Sequence, residues 1–386
     1  MDILFEPAVQ ETFSVIKHSL FNFPLDLNAI SDRNALYSEM EKHTIIGLFP
    51  VELTQCDAEL KKERYQIIYS NMKKCAEQTR ALNLLQSNGI SSVIIKGSAV
   101  AMYYPHPELR MMGDIDLLVT PSDYNRTIEV LINDGYKKSN LQNRDNQRRH
   151  MELFKNGIEI EIHCALLDLR LQDSTMFVTY GINQKQKKQI GSNVFYTLPE
   201  NMNGLVLLSH IRHHLRTGIG LRQIIDWMLY ANSRLSKTLW ENSFAEETEK
   251  LGLRDFTMVL TKMCVMYLGL PRNSVSWCES ADSDLCTIMM REIMRSGNFG
   301  RSDMSLRRRI SKGLSYKLRV RTFFRVLQNE GMKNKTISNR RYLQHFAWLY
   351  QGFLIIKTLI SENRSEREIT RNQVRERELL FEKLDI

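Results

Sequence analysis

The sequence predicts a mixed α/β chain: a small mixed sheet flanked by helical N-terminal and C-terminal regions. Three observations lead there. Residues Ser91 to Leu166 read as strand, helix, strand, helix, hairpin. The chain before them carries apolar residues at helical spacing. Beyond about Glu200 the strand signals fade, and helical patterns take over. The divisions expected are a helical region over 1–80, an α/β unit over 81–200 and a helical region over 201–386.

Each element has a local reason. "AELKKERYQIIYSNMKKCAEQTRALNLLQSNGI" keeps helical spacing and stops at Asn88-Gly89. "SSVIIKG" is a β-branched run ended by glycine, hence a strand. "SAVAMYY" favours a helix halted by Pro105 and Pro107. "GDIDLLVT" is a second strand. "PSDYNRTIEVLINDGY" opens at a proline with Ser122 as N-cap and closes at Gly135. "HMELFKNGIEIEIHCAL" reads as two strands joined by an Asn156-Gly157 turn. Asn201 to Ala231 and Glu241 to Leu268 read as helices.

With 386 residues the chain is long enough for two or three domains and a sizeable core. Its 43% hydrophobic and 25% charged residues are those of a folded protein, not a disordered one. The cysteines Cys56, Cys75, Cys164, Cys264, Cys278 and Cys286 show no CxxC spacing, so reduced thiols and a cytoplasmic location are expected. The opening "MDILFEPAVQ" lacks the pattern of a secretory signal. The longest apolar run, Phe346 to Ile360, is short and contains Gln351 and Lys357, a poor membrane span.

Asp114 and Asp116 raise the functional question. Alternation along a strand puts both on one face, while Ile115 and Leu117 point into a core. Two adjacent carboxylates repel, and a divalent cation is the usual answer. Removing either charge is expected to relieve that repulsion in the ion-free protein.

The pattern resembles the DNA polymerase beta-like nucleotidyltransferase superfamily, and within it a bacterial group of uncharacterised nucleotidyltransferases. The residues that carry the resemblance are Lys96-Gly97-Ser98-Ala99, Tyr104-Pro105, Arg110, "DIDLLV" from Asp114, Glu161-Ile162-His163, His213-His214 and Leu221-Arg222…Asp226. Three features depart from the usual pattern. The stretch from Ser98 to Asp114 is longer, the third acid is a glutamate, and Cys164 stands where tryptophan is common.

The resemblance implies Mg²⁺- or Mn²⁺-dependent transfer of a nucleotidyl group from a nucleoside triphosphate such as ATP, with release of pyrophosphate. The acceptor hydroxyl could belong to a small molecule, a protein or a nucleic acid. Such chemistry needs in-line positioning and neutralised phosphate charge. Asp114, Asp116 and Glu161 would then be both catalytic residues and metal ligands, with Glu159 the rival for the third position. Gly97 and Ser98 would cradle phosphates at a helix N-terminus, although an N-cap serine after a turn glycine gives the same pattern. Lys96 would reach a phosphate or brace the carboxylates. Arg110 would neutralise triphosphate or stand exposed at the surface, and His214 and Arg222 would line the nucleotide cleft, unless the histidines pack or hydrogen-bond between domains with Asp226 or Arg222 as partners.

Two features stand apart. His210 and His214 have the i,i+4 spacing of zinc ligands, but no third ligand is evident nearby. The span Arg301 to Arg341 holds about a dozen Lys and Arg against only Asp303 and Glu330, within a net charge of +9. That span is either a solvated helical face or a surface for RNA, DNA or anionic lipid. Rival functions are therefore a degenerate transferase that binds RNA or membrane, and an antitoxin-like enzyme that modifies a partner protein.

Overall fold

A computed structural model of the chain describes residues 2–138, 150–166, 174–298, 327–328, 341–353 and 364–386. It is mixed α/β and mostly helical. The basic span 301–341 lies almost wholly outside the described residues.

Helices α1 (Pro7–Phe21), α2 (Arg33–Lys42), α3 (Val51–Cys56) and α4 (Ala58–Ser87) precede the first strand. The α4 helix begins where the Asp57 carboxylate accepts the Glu59 and Leu60 amides, and ends at Gly89, whose φ is +70°. Then come β1 (Ser92–Ile94), α5 (Gly97–Ala101), β2 (Ile115–Val119), α6 (Tyr124–Asn133), β3 (Lys137–Lys138), β4 (His150–Lys155) and β5 (Ile158–His163). The five strands form one sheet in the order β1-β2-β5-β4-β3, and β2–β5 is its one parallel pair. Next follow α7 (Ser174–Asn183) and a separate hairpin of β6 (Gln186–Ile190) and β7 (Asn193–Thr197).

The sheet's two faces differ, and the difference places the site. Ile115, Leu117, Ile160 and Ile162 pack against Ala81, Leu82 and Leu85 of α4. Each such buried side chain contributes about 1.5–3 kcal/mol. The alternate residues turn to the other side. There Leu118 packs with Val178 and Ile182 of α7, while Asp116, Glu161 and His163 take up polar positions.

Further helices include α8 (Glu200–Leu215), α9 (Leu221–Arg234), α10 (Lys237–Leu239), α11 (Ala245–Lys250), α12 (Arg254–Tyr267), α13 (Ser283–Ser296) and α14 (Arg364–Lys383). They build the largest apolar core, around Trp227, Tyr230, Phe244 and Phe256. Gly204 of α8 lets Tyr230 approach, because a Cβ there would lie 2.4 Å from the tyrosine oxygen. The α14 helix is tied to α13 by the buried Arg377–Glu292 ion pair.

Three local readings need correction. The helical span expected over Asn201 to Ala231 is divided into α8 and α9 by a turn in which Gly218 has φ +120°. The N-cap of α6 is Asp123 rather than Ser122, whose hydroxyl pairs with Thr120 Oγ1. The β6–β7 hairpin was not foreseen, because "QKKQI" reads as a solvated segment.

Candidate active site

The parallel register of β2 and β5 sets Asp116 opposite Glu161. Asp114 precedes the strand and lines the same cleft. His163 sits between two acids: its Nε2 lies 3.1 Å from Asp116 Oδ1 and 3.2 Å from Glu161 Oε2. One atom from each of Asp116, Glu161 and His163 falls within 4.8 Å of the others, close enough to hold a metal ion. Burial works against a charged imidazole, yet the two carboxylates outweigh it and push His163 up to about 9. Burial likewise opposes ionisation of Glu161, and His163 overrides it, drawing that carboxyl down to about 2. The group at Asp114 moves the other way, raised first by the charge of Asp116 and then by burial. A site that resists the ionisation of one of its own acids is short of positive charge.

Lys96 supplies part of that charge. Its ammonium lies 2.5 Å from Asp116 Oδ1. Burial alone would lower its pKa, but Asp116, Asp114 and Glu161 raise it. To reach them, the Lys96 backbone takes φ +59° and ψ −146°, a region that ordinarily belongs to glycine. Gly97 follows at φ +39°, so two successive residues of unusual backbone turn β1 into α5. Ser98 is 1% exposed, and its hydroxyl donates to Gln78 Oε1 at 2.9 Å. It faces α4 and does not line the cleft, which departs from the phosphate contact expected of that hydroxyl.

Arg110 is also placed differently from expectation. It is buried in a two-point ion pair with Asp226 of α9, with Nε–Oδ1 and Nη2–Oδ2 both 2.7 Å. Tyr104 adds a hydrogen bond to Asp226 Oδ1 at 2.8 Å. Its charge is therefore already spent within the fold. Arg222 differs: its Nη1 donates to the Met111 carbonyl at 2.9 Å, while its buried Nε has no hydrogen-bond partner. Burial, then the neighbouring Arg110, lowers its pKa. A buried guanidinium with an unused donor, beside a cleft, is suited to an anion.

The acid-bearing loop is held from behind. Asn71 of α4 donates to the Glu108 and Arg110 carbonyls, both at 2.8 Å. Lys74 of α4 donates to the Met112 carbonyl at 2.6 Å. The last turns of α8 form the opposite wall with His210, His213 and His214. The His210 and His214 rings meet edge to face, 4.3 Å between centroids. Burial, then His213 and Lys96, keeps His214 neutral by drawing it down to about 4. Neither His210 nor His214 belongs to a metal-ligating cluster among the described residues.

Sequence reasoning missed two residues here. His150 and Glu152 of β4 stand opposite His163 and Glu161 and line the cleft. The signal was present: counting outward from a two-residue Asn156-Gly157 turn gives those pairs directly. Glu159 is there too. It is raised to about 7, chiefly by burial and then by Asp114, which marks it as an acid without a cationic partner of its own.

The cleft has a volume of about 350 Å³, within the usual range for small-molecule sites. Its lining combines the carboxylates with Lys96, Arg222 and the α8 histidines. No helix among the described residues is long and apolar enough to cross a membrane. No curated protein matches the chain. A family model described as an uncharacterised nucleotidyltransferase matches residues 32–269, a span that covers every site residue named above. The chain is thus a member of this uncharacterised nucleotidyltransferase family.

Proposed function

We propose that the protein transfers a nucleotidyl group from a nucleoside triphosphate to an acceptor hydroxyl, releasing pyrophosphate, with Mg²⁺ or Mn²⁺ as cofactor. The observation that carries this reading is the cross-strand placement of Asp116 and Glu161, with Asp114 on the same cleft. The order of strands and acids also supports a polymerase beta-like sheet for the α/β unit. The donor set fits a hard divalent cation: carboxylate oxygens dominate, and the raised pKa of Asp114 reports excess negative charge. When bound, such cations supply Lewis-acid stabilisation of phosphate charge.

The chain's own residues would do the rest. Asp114, Asp116 and Glu161 would hold the divalent cation. His163 fixes the Asp116 and Glu161 carboxylates by hydrogen bonding to both. Lys96 and Arg222 face the triphosphate, with Gly97 allowing its close approach. His214 lines the nucleotide's side of the cleft. Ser98, which the structure ties to Gln78, shapes the site from behind, and Arg110, at the cleft lining, is held by Asp226.

The test is incubation of the purified protein with each labelled nucleoside triphosphate and Mg²⁺ or Mn²⁺. Pyrophosphate release is scored, together with label transfer to the protein itself, to RNA and to cell extract. Transfer that disappears in Asp114→Asn and Asp116→Asn supports the reading. Absence of pyrophosphate release with all four nucleotides and both cations overturns it.

A further inference from the structure

The hairpin adds a second set of ligands beside the first. Across β4 and β5, His150 Nε2 lies 3.1 Å from Glu161 Oε1 and 3.9 Å from Glu152 Oε1. One donor atom from each of the three falls within 4.8 Å of the others. A cation with ligands at about 2.1 Å separates opposite donors by about 4.2 Å, so modest side-chain movement closes this set around an ion. Of the two ring nitrogens of His150, Nε2 is the one turned toward both carboxylates.

Glu161 is divided between the two sets. Oε1 faces His150, and Oε2 faces His163 at 3.2 Å.

We propose that His150, Glu152 and Glu161 form a second divalent-cation site that favours Mn²⁺ or Zn²⁺ over Mg²⁺, with Glu161 bridging to the ion at Asp116. The preference follows from the imidazole nitrogen, which borderline cations accept and Mg²⁺ disfavours. This rests on the transfer reading only for the identity of the neighbouring ion, and it is tested without nucleotide or acceptor.

Chelator-treated full-length protein is titrated with Mn²⁺ by electron paramagnetic resonance and with Zn²⁺ by calorimetry, with Mg²⁺ as competitor. Wild type is expected to bind two Mn²⁺ per chain. His150→Gln and Glu152→Gln, each checked for folding by circular dichroism, should weaken one of the two at least tenfold and spare the other. Asp116→Asn should spare the ion that those two variants lose. Mg²⁺ should displace the His150-dependent ion less readily than its neighbour. Binding of a single ion by wild type, or two ions held unchanged in both hairpin variants, overturns the proposal. If the hairpin variants keep both ions while Mg²⁺-dependent transfer is observed, this inference fails and the transfer reading stands. If the His150-dependent ion is found but no triphosphate is turned over, the reverse holds.

Discussion

The guanidinium of Arg110 and the carboxylate of Asp226 meet through two parallel 2.7 Å hydrogen bonds, both side chains buried. Arg110 lies on the loop that leads into Asp114, and Asp226 lies on α9. One ion pair thus fastens the acid-bearing loop to the helical region. Removing one partner leaves an uncompensated buried charge. Asp226→Asn should therefore cost about 3–5 kcal/mol, measured as a fall in the denaturant midpoint. The double variant Arg110→Met/Asp226→Leu should recover much of that loss. A cost below about 1 kcal/mol for Asp226→Asn would show that the pair is not a fastening.

Asp114 and Asp116 should part company in the ion-free protein. Asp114→Asn removes a carboxylate that its neighbour already disfavours, so stability should hold or rise. Asp116→Asn strips the Lys96 ammonium and the His163 ring of a shared partner, so stability should fall by about 1–3 kcal/mol. The relief expected for both from sequence applies to Asp114 alone. Thermal melts in excess chelator decide the matter, and equal effects would refute it.

Glu161→Gln should impair transfer more severely than Glu159→Gln. Glu161 touches both His150 and His163, whereas Glu159 sits at the side of the cleft without an ion pair among those described. Losing a ligand or base at the reacting centre typically costs a hundredfold or more, at about 1.4 kcal/mol per tenfold. Steady-state turnover of the two variants gives the order. The reverse order would transfer the third-acid role to Glu159.

Stability should fall in mild acid through His43, which does not line the cleft. This ring is fully buried, accepts the Leu221 amide at Nδ1 and meets Glu39 through Nε2. Burial, against the pull of Glu39 and with that of Lys42, lowers its pKa below the ordinary 6.5. The unfolded chain then binds more protons between 6.5 and the lower folded value. Stability is full above that window and lost as the pH falls through it. Glu39, whose pKa is also lowered, extends the loss at lower pH. Denaturation midpoints at several pH values, for wild type and His43→Gln, should show a shallower dependence in the variant.

The legible parts of this protein were local ones. Strands β2 and β5 could be read because apolar and acidic residues alternate with period two, and the β4–β5 turn because Asn156-Gly157 suits two residues of positive φ. The pairing of His150 with His163 and of Glu152 with Glu161 was implicit in that turn. Other features depend on distant partners. Nothing near Arg110 announces Asp226, which lies 116 positions away. Nothing in Gly97-Ser98 tells that Gln78 will take the serine hydroxyl. The break between α8 and α9 rests on two glycines around Ile219, a weak signal beside the apolar runs on either side.

Position 96 makes two demands that no single amino acid meets well: a long cationic side chain and a backbone suited to glycine. Holding lysine there costs about 1–3 kcal/mol, and its contact with Asp116 offsets it. If a cation binds at Asp116 as proposed, it meets a competitor that never diffuses away, because the Lys96 ammonium is tethered to the same carboxylate. Lys96 would then lower the apparent affinity for metal by the strength of that contact, at every metal concentration alike.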